Sequence, residues 1–254
     1  MESKSESSIK EWFPHHIISK GEPIALLILN QPLDEENVEY LQSIWNSAAF
    51  RVAVDGGANE LKDSSKNHIN QTELIPDLIC GDFDSALPEI LDYYREKNVA
   101  VIHTPDQDET DFTKALRLTV EIIKDRGLQV SSIVALVRNG DRLDHILGNL
   151  NTLYLALKFT TLPVMILGHG SITWLLSTGS HKIHITDEMM SSHVGLVPLG
   201  KECTNVSTTG LKWNLTQDKM NFGGLISTCN LFDSNVVTVS TDTPLIWTME
   251  VKLK

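Results

Sequence analysis

Six short apolar runs punctuate the first two thirds of the chain: Ile24–Leu29, Val52–Val54, Leu78–Cys80, Val99–Ile102, Ile133–Val137 and Val164–Leu167. Runs this short and this uniformly apolar predict strands buried on both faces. Between them the period changes. Over Thr110–Lys124, the residues Phe112, Ala115, Leu116, Leu118, Ile122 and Ile123 recur at helical spacing. Asp144–Lys158 does the same with Ile146, Leu147, Leu150, Leu153, Tyr154 and Leu157. Strands alternating with amphipathic helices predict an α/β unit with a mostly parallel sheet. After Gly168 the helical period fades. Leu245, Trp247, Met249, Val251 and Leu253 alternate with Ile246, Thr248, Glu250 and Lys252; Ile183 and Ile185 alternate similarly, and Val236–Ser240 is β-branched. That pattern predicts strands with one buried face and an all-β sandwich. The expected organisation is a disordered leader over residues 1–20, an α/β domain over 21–168 and a β-sandwich over 169–254.

Composition narrows the partners. Among 254 residues, 33 acidic against 21 basic side chains leave a formal charge of −12. Such a surface repels phosphate backbones and anionic bilayers, so neither nucleic acid nor membrane is expected as a partner. A polyphosphate is still compatible where a divalent cation bridges it to the protein. Cys80, Cys203 and Cys229 are too scattered for a disulfide framework and fit a reducing compartment. No apolar stretch reaches membrane-spanning length, and Met1–Lys10 is polar and serine-rich without a signal-peptide core. A cytoplasmic location is therefore expected.

The aspartates carry the chemistry. In an open, Rossmann-like sheet, ligands bind outside the carboxyl ends of the strands. Four expected strands run into polar clusters there: Asp55-Gly56-Gly57, Gly81-Asp82-Phe83-Asp84-Ser85, Asp106-Gln107-Asp108-Glu109-Thr110-Asp111 and Asp141-Arg142-Leu143-Asp144. Each alone reads equally well as a turn or a helix cap. Their convergence on one sheet edge favours a site. Asp82 and Asp84 would point to the same side of an extended backbone, where a bound divalent cation stabilises both ionised. Magnesium, held by one or two carboxylates plus phosphate oxygens, suits the pair. Asp108 and Asp111 sit where a helix begins and favour its positive end, with Asp108 or Thr110 as the N-cap, or with one of the two aspartates as a base or second metal contact. Arg142 offers a planar fork for phosphate oxygens, and Gly56 and Gly57 would let backbone approach a phosphate. Gly195 to Lys201 has the glycine and lysine spacing of a phosphate-binding loop, but Glu202 stands where a hydroxyl residue should bind magnesium. Trp213, in a polar run, could stack on a flat heterocycle.

These segments, together with Thr208-Thr209-Gly210-Leu211-Lys212-Trp213-Asn214-Leu215 and Ser227-Thr228-Cys229-Asn230, resemble thiamin pyrophosphokinase, most closely the eukaryotic form. The resemblance implies transfer of a diphosphate from ATP to the hydroxyl of thiamin, with release of AMP, by a homodimer holding thiamin near its subunit interface. It implies that Asp82, Asp84 and Asp111 hold magnesium and serve catalysis, Asp111 orienting or deprotonating the hydroxyl. Asp55, Gly56, Gly57, Gln107, Asp108, Arg142 and Asp144 would line the ATP site, and Trp213, Ser227 and Asn230 the thiamin site. The family pattern places glycine directly before the arginine, where this chain has Asp141. Two other readings are a non-catalytic thiamin or nucleotide sensor and a kinase that transfers one phosphate and releases ADP.

Overall fold

The computed structural model describes residues 9–18, 22–33, 35–67, 73–137, 142–168 and 170–251. The chain divides into two compact units, one of residues 17–170 and one of residues 1–16 with 171–252.

Along the chain, strand β1 (Lys10–Trp12) and a single helical turn α1 (His15–Ile18) come first. The larger unit follows with β2 (Ile24–Ile28), α2 (Glu35–Trp45), β3 (Ala48–Val54), α3 (Gly57–Asn67), β4 (Leu78–Gly81), α4 (Pro88–Glu96), β5 (Ala100–His103), α5 (Asp111–Arg126), β6 (Ser132–Leu136), α6 (Leu143–Ala156) and β7 (Val164–Gly168). All six of its strands pair in parallel, in the order β7-β6-β2-β3-β4-β5. The chain runs outward from β2 to β5, then returns to β6 on the other side of β2. The order therefore reverses between β2 and β6, and the crevice at such a reversal is where open sheets bind ligands.

Burial follows the apolar pattern. β2, β4, β6 and β7 are buried at every position. The fourth run behaves differently: β5 is mostly exposed, because it is the edge strand and only β4 lies beside it. Helix α5 begins one residue after Thr110, whose side chain accepts from the Thr113 N–H, and ends at Gly127 with φ 63°. Both signals are readable in the sequence as an N-cap and a left-handed C-cap. In α6 the buried edge is Thr152, Leu153 and Ala156, while Leu147 and Leu157 of the expected apolar face are exposed. The small residues let α6 approach α5, where the hydroxyls of Thr113 and Thr152 lie 2.8 Å apart.

The smaller unit is β-rich. β8 (Ser171–Leu176), β9 (Gly179–His184), β10 (His193–Val197), β11 (Cys203–Thr209), β12 (Asp218–Met220), β13 (Ser227–Leu231), β14 (Val236–Thr241) and β15 (Leu245–Glu250) complete the chain. One layer is β13-β10-β15-β8, antiparallel throughout. The other is β1-β9-β14-β11-β12. Trp12 from the second layer meets Trp174 from the first with ring centroids 5.4 Å apart, and Trp247 packs 5.8 Å from Trp174. The alternation over Leu245–Val251 is seen in part: Leu245, Trp247, Met249 and Val251 are buried and Thr248 and Glu250 are half-buried, but Ile246, expected on the outer face, is buried too.

The leader is the main correction. Lys10–Trp12 is a strand, parallel to β9 and in register with His181–Ile183, and Trp12 is buried. The polar composition of Met1–Lys10 hid this strand, because its anchor is one aromatic side chain whose partners are distant in sequence. The segment 138–141, with Asp141, lies outside the described residues.

Candidate active site

A cleft of about 450 Å³ opens at the carboxyl ends of β2, β3, β4, β5 and β6. Its wall is built in chain order: Asn30 after β2, Asp55 after β3, Asp82 and Asp84 after β4, Thr110 and Asp111 at the start of α5, and Arg142, Asp144 and His145 at the start of α6. Parallel strands all discharge their polar turns at the same sheet edge. That is why segments as far apart in sequence as Asn30 and His145 share one wall.

Three carboxylates converge, though not the three expected. Oxygens of Asp55, Asp82 and Asp111 all lie within 4.8 Å of one another. Asp84 lines the cleft outside this group. The expectation of Asp82 and Asp84 side by side on extended backbone is corrected by Phe83, whose φ of 63° turns the chain left-handed between them. The Asp84 N–H then donates to Asp82 Oδ1 at 3.2 Å. Asp55 is buried, and its Oδ1 accepts the N–H groups of Ser85 and Ala86.

Lys114 was missed in the sequence and is central to the site. It is only 7% exposed. Its ammonium lies 2.9 Å from Asp111 Oδ1 and 3.3 Å from Asp82 Oδ2, and donates to the carbonyls of Thr104 and Asp106 at 3.0 and 2.8 Å. The available signal was its spacing, one helical turn after Asp111 on the same face of α5. Burial alone would lower the Lys114 pKa, but the hydrogen bonds and charges of Asp111 and Asp82 outweigh it and hold it above the usual lysine value. Burial likewise pushes Asp82 up. The Asp84 N–H, the Lys114 ammonium and the Gln107 amide pull it down further, and its carboxyl sits below the ordinary range.

The remaining expected residues divide. Gln107 donates to Asp82 Oδ2 at 3.2 Å and so belongs to the carboxylate group. Asp108 is exposed, with its N–H given to Asp106 Oδ1, and is outside the cleft wall. Thr110, not Asp108, caps α5. Arg142 and Asp144 both line the cleft and pair with each other through two contacts, Nε to Oδ1 at 3.1 Å and Nη2 to Oδ2. Gly56 and Gly57 are not among the residues that line the cleft, but a Cβ on Gly56 would sit 2.2 Å from Oδ1 of Asn30, a side chain of the cleft wall, and one on Gly57 2.3 Å from the Ile28 carbonyl. At Gly57 the backbone of β2 passes too close for a side chain.

In the β-rich unit, Trp213 is 57% exposed with the Lys212 ammonium 4.8 Å from its ring centroid. Asn230 is buried on β13. Its Oδ1 accepts the Trp213 N–H at 3.2 Å and its Nδ2 donates to the Trp213 carbonyl at 2.8 Å. The Asn230 amide is thus committed to the chain itself, and Ser227 Oγ lies 3.4 Å from it. The Trp213 indole is left outward.

Known proteins share both units. The family model described as "Thiamin pyrophosphokinase, catalytic domain" matches residues 41–166, and that described as "Thiamin pyrophosphokinase, vitamin B1 binding domain" matches residues 180–246. Thiamine pyrophosphokinase 3 of Oryza sativa subsp. japonica is 36% identical over 243 residues, covering 91% of this chain and 88% of the relative. Thiamin pyrophosphokinase 1 of Caenorhabditis elegans is 32% identical over 211 residues, covering 83% of each. The crystal structure of yeast thiamin pyrophosphokinase superposes with a TM-score of 0.83 at 22% identity, covering 99% of this chain and 94% of that one, which is a likeness of fold. With both family models placed in order and relatives above 30% identity along nearly its whole length, the chain belongs to the thiamin pyrophosphokinase family.

Proposed function

We propose that the protein transfers a diphosphate from ATP to the hydroxyl of thiamin, forming thiamin diphosphate and AMP. Family membership supports the reaction. The observation that carries the site is the convergence of Asp55, Asp82 and Asp111 in a cleft at the sheet reversal. Their hard oxygen donors fit magnesium, which Asp82 and Asp111 would hold with Asp84 or Asp55 completing the set. Held there beside the phosphates, such a cation would supply charge neutralisation and Lewis-acid polarisation of the phosphoryl group.

The chain's own groups do the rest. In the reaction the thiamin hydroxyl oxygen bonds to the β-phosphorus, the bond from that phosphorus to the α,β-bridging oxygen breaks, and AMP departs. The hydroxyl proton passes to a carboxylate, and Asp111 is the proposed acceptor. Lys114 keeps Asp82 and Asp111 aimed into the cleft against their mutual repulsion. Arg142, exposed and paired among the described residues with exposed Asp144, exchanges that partner for phosphate oxygens at little cost, since water screens an exposed ion pair and leaves it weak. Trp213 presents its ring to the heterocycle, and Asn230 holds the backbone that carries it. A homodimer with thiamin near the subunit interface, and a cytoplasmic location, complete the proposal. Among the described residues no helix is long and apolar enough to cross a membrane.

The test is product analysis. Purified protein with thiamin, ATP and magnesium should yield AMP and thiamin diphosphate in equal amounts, and Asp82→Asn should abolish both. ADP with thiamin monophosphate would refute the diphosphate transfer. Magnesium-dependent ATP binding without turnover would mark a sensor.

A further inference from the structure

The turn Asp55-Gly56-Gly57-Ala58-Asn59 offers in the sequence two glycines that would let backbone approach a phosphate, and in the structure its two polar side chains hold the segment 85–87. Asp55 Oδ1 accepts the N–H groups of Ser85 at 3.3 Å and Ala86 at 3.1 Å. Asn59 Nδ2 donates to the Ser85 carbonyl at 2.8 Å, and Asn59 Oδ1 accepts the Leu87 N–H at 3.0 Å. Four backbone groups of residues 85–87 are thereby tied to Asp55 and to the first turn of α3. At the other end, the Asp55 N–H donates to the Cys80 carbonyl at 2.8 Å, and Gly81 passes so close that a Cβ there would meet Asp55 Cβ at 2.8 Å.

The segment pinned at both ends is the one that carries Asp82 and Asp84. Its middle residue, Phe83, occupies the left-handed region at φ 63°. A side chain of that size sits there only when its surroundings over-determine the backbone. The pinned ends are those surroundings. A free loop would relax toward extended backbone, carrying Asp82 away from Asp55 and Asp111.

We propose that Asn59 is a positioning residue: together with Asp55 it holds the turn that aims Asp82 and Asp84 into the cleft, and so sets the affinity for the divalent cation without touching it. The inference rests on the reading of Asp82 as a cation ligand. Asp55 is one of the converging carboxylates and would confuse ligation with positioning, whereas Asn59 does not itself line the cleft and reaches it through the Ser85 carbonyl. Asn59 is therefore the informative position.

The experiment is Mn²⁺ binding to the full chain, followed by the electron paramagnetic resonance of free Mn²⁺, for wild type, Asn59→Ala, Asn59→Asp and Asp82→Asn. Groups that orient metal ligands are worth roughly tenfold or more in metal affinity. Asn59→Ala should weaken Mn²⁺ binding about tenfold, and saturating cation should restore its turnover. Asn59→Asp keeps the acceptor for Leu87 but sets an oxygen against the Ser85 carbonyl, and should weaken binding as well. It supplies the same reading if the alanine variant does not fold. Amide exchange should quicken at Ser85, Ala86 and Leu87 in Asn59→Ala and at Ser85 and Ala86 in Asn59→Asp, a change that loss of stability elsewhere would not confine to these positions. Wild-type Mn²⁺ affinity in both Asn59 variants, with binding lost in Asp82→Asn, would overturn the positioning role while sparing the ligand reading. Unchanged binding in Asp82→Asn, or none in the wild type, would overturn both.

Discussion

Replacing Lys114 by methionine removes one ammonium and leaves a stem of similar length in the same space. In the folded protein that ammonium is shared by Asp111 at 2.9 Å, Asp82 at 3.3 Å and two carbonyl oxygens. At an effective dielectric of 20, each charge pair is worth about 5 kcal/mol of attraction before desolvation. Desolvation cancels much of this, and deleting one partner of a buried ionic group typically costs about 3–5 kcal/mol. Asp111 keeps about a third of its side chain in water, so the lower end applies, about 3 kcal/mol. For a unit of roughly 150 residues, that lowers the melting temperature by about 6–12 °C. Scanning calorimetry is the suitable assay, because the two units can melt separately and a single midpoint would blur them. Magnesium should restore more stability to Lys114→Met than it adds to the wild type, since a cation among the carboxylates takes over the ammonium's role. A variant melting within about 1 °C of wild type without magnesium would refute the picture of Lys114 as the counter-charge of a strained acidic site.

Other outcomes follow from the same geometry. Gly57→Ala should cost about 1–3 kcal/mol in chemical denaturation, because its Cβ would sit 2.3 Å from the Ile28 carbonyl and neither partner is a flexible side-chain end. Gly127→Ala meets no atom within 4 Å but keeps φ at 63°, so it should cost only about 1 kcal/mol; equal losses at the two glycines would contradict the packing argument. His181 should make β1 acid-sensitive. Burial and the Lys10 charge hold its pKa below the usual histidine value against the pull of the Ser177 carbonyl, and its Nδ1 accepts from the Trp12 indole at 3.1 Å. The unfolded chain therefore takes up the proton first: this stabilisation is complete above about pH 6.5 and is lost as pH falls through the folded value. His181→Gln should flatten that slope in pH-dependent unfolding, and an unchanged slope would dismiss it. Trp213→Ala should raise the KM for thiamin about tenfold or more, the worth of one stacked ring, and leave the KM for ATP unchanged. An unaltered thiamin KM would remove Trp213 from the site.

Much of this molecule is legible along the chain. The parallel sheet follows from the runs at Ile24–Leu29, Leu78–Cys80, Ile133–Val137 and Val164–Leu167, since residues buried on both faces must all be apolar. The limits of α5 follow from Thr110 and Gly127, where a hydroxyl and a missing Cβ answer local backbone needs. Even the edge that carries the site was readable, because parallel strands send all their carboxyl-end turns to one side. These are short-range demands, and each leaves its mark at a fixed spacing.

Tertiary structure decided which of those residues meet. Asp55 joins Asp82 and Asp111 while Asp84 does not, because the backbone turns left-handed at Phe83. Lys114 becomes the counter-charge only when β4 and α5 bring two acids to it from different segments. Gly57 answers to the backbone of β2, Gly56 to the Asn30 side chain, and Asn59 to Ser85 and Leu87. Trp12 is strand rather than leader because His181 and Trp174 wait for it far along the chain. Periodicity records which face of an element is buried. It carries no record of a partner about thirty residues or more away, such as Asp82 for Lys114 or Ser85 and Ala86 for Asp55, and those contacts join the separate segments of the site.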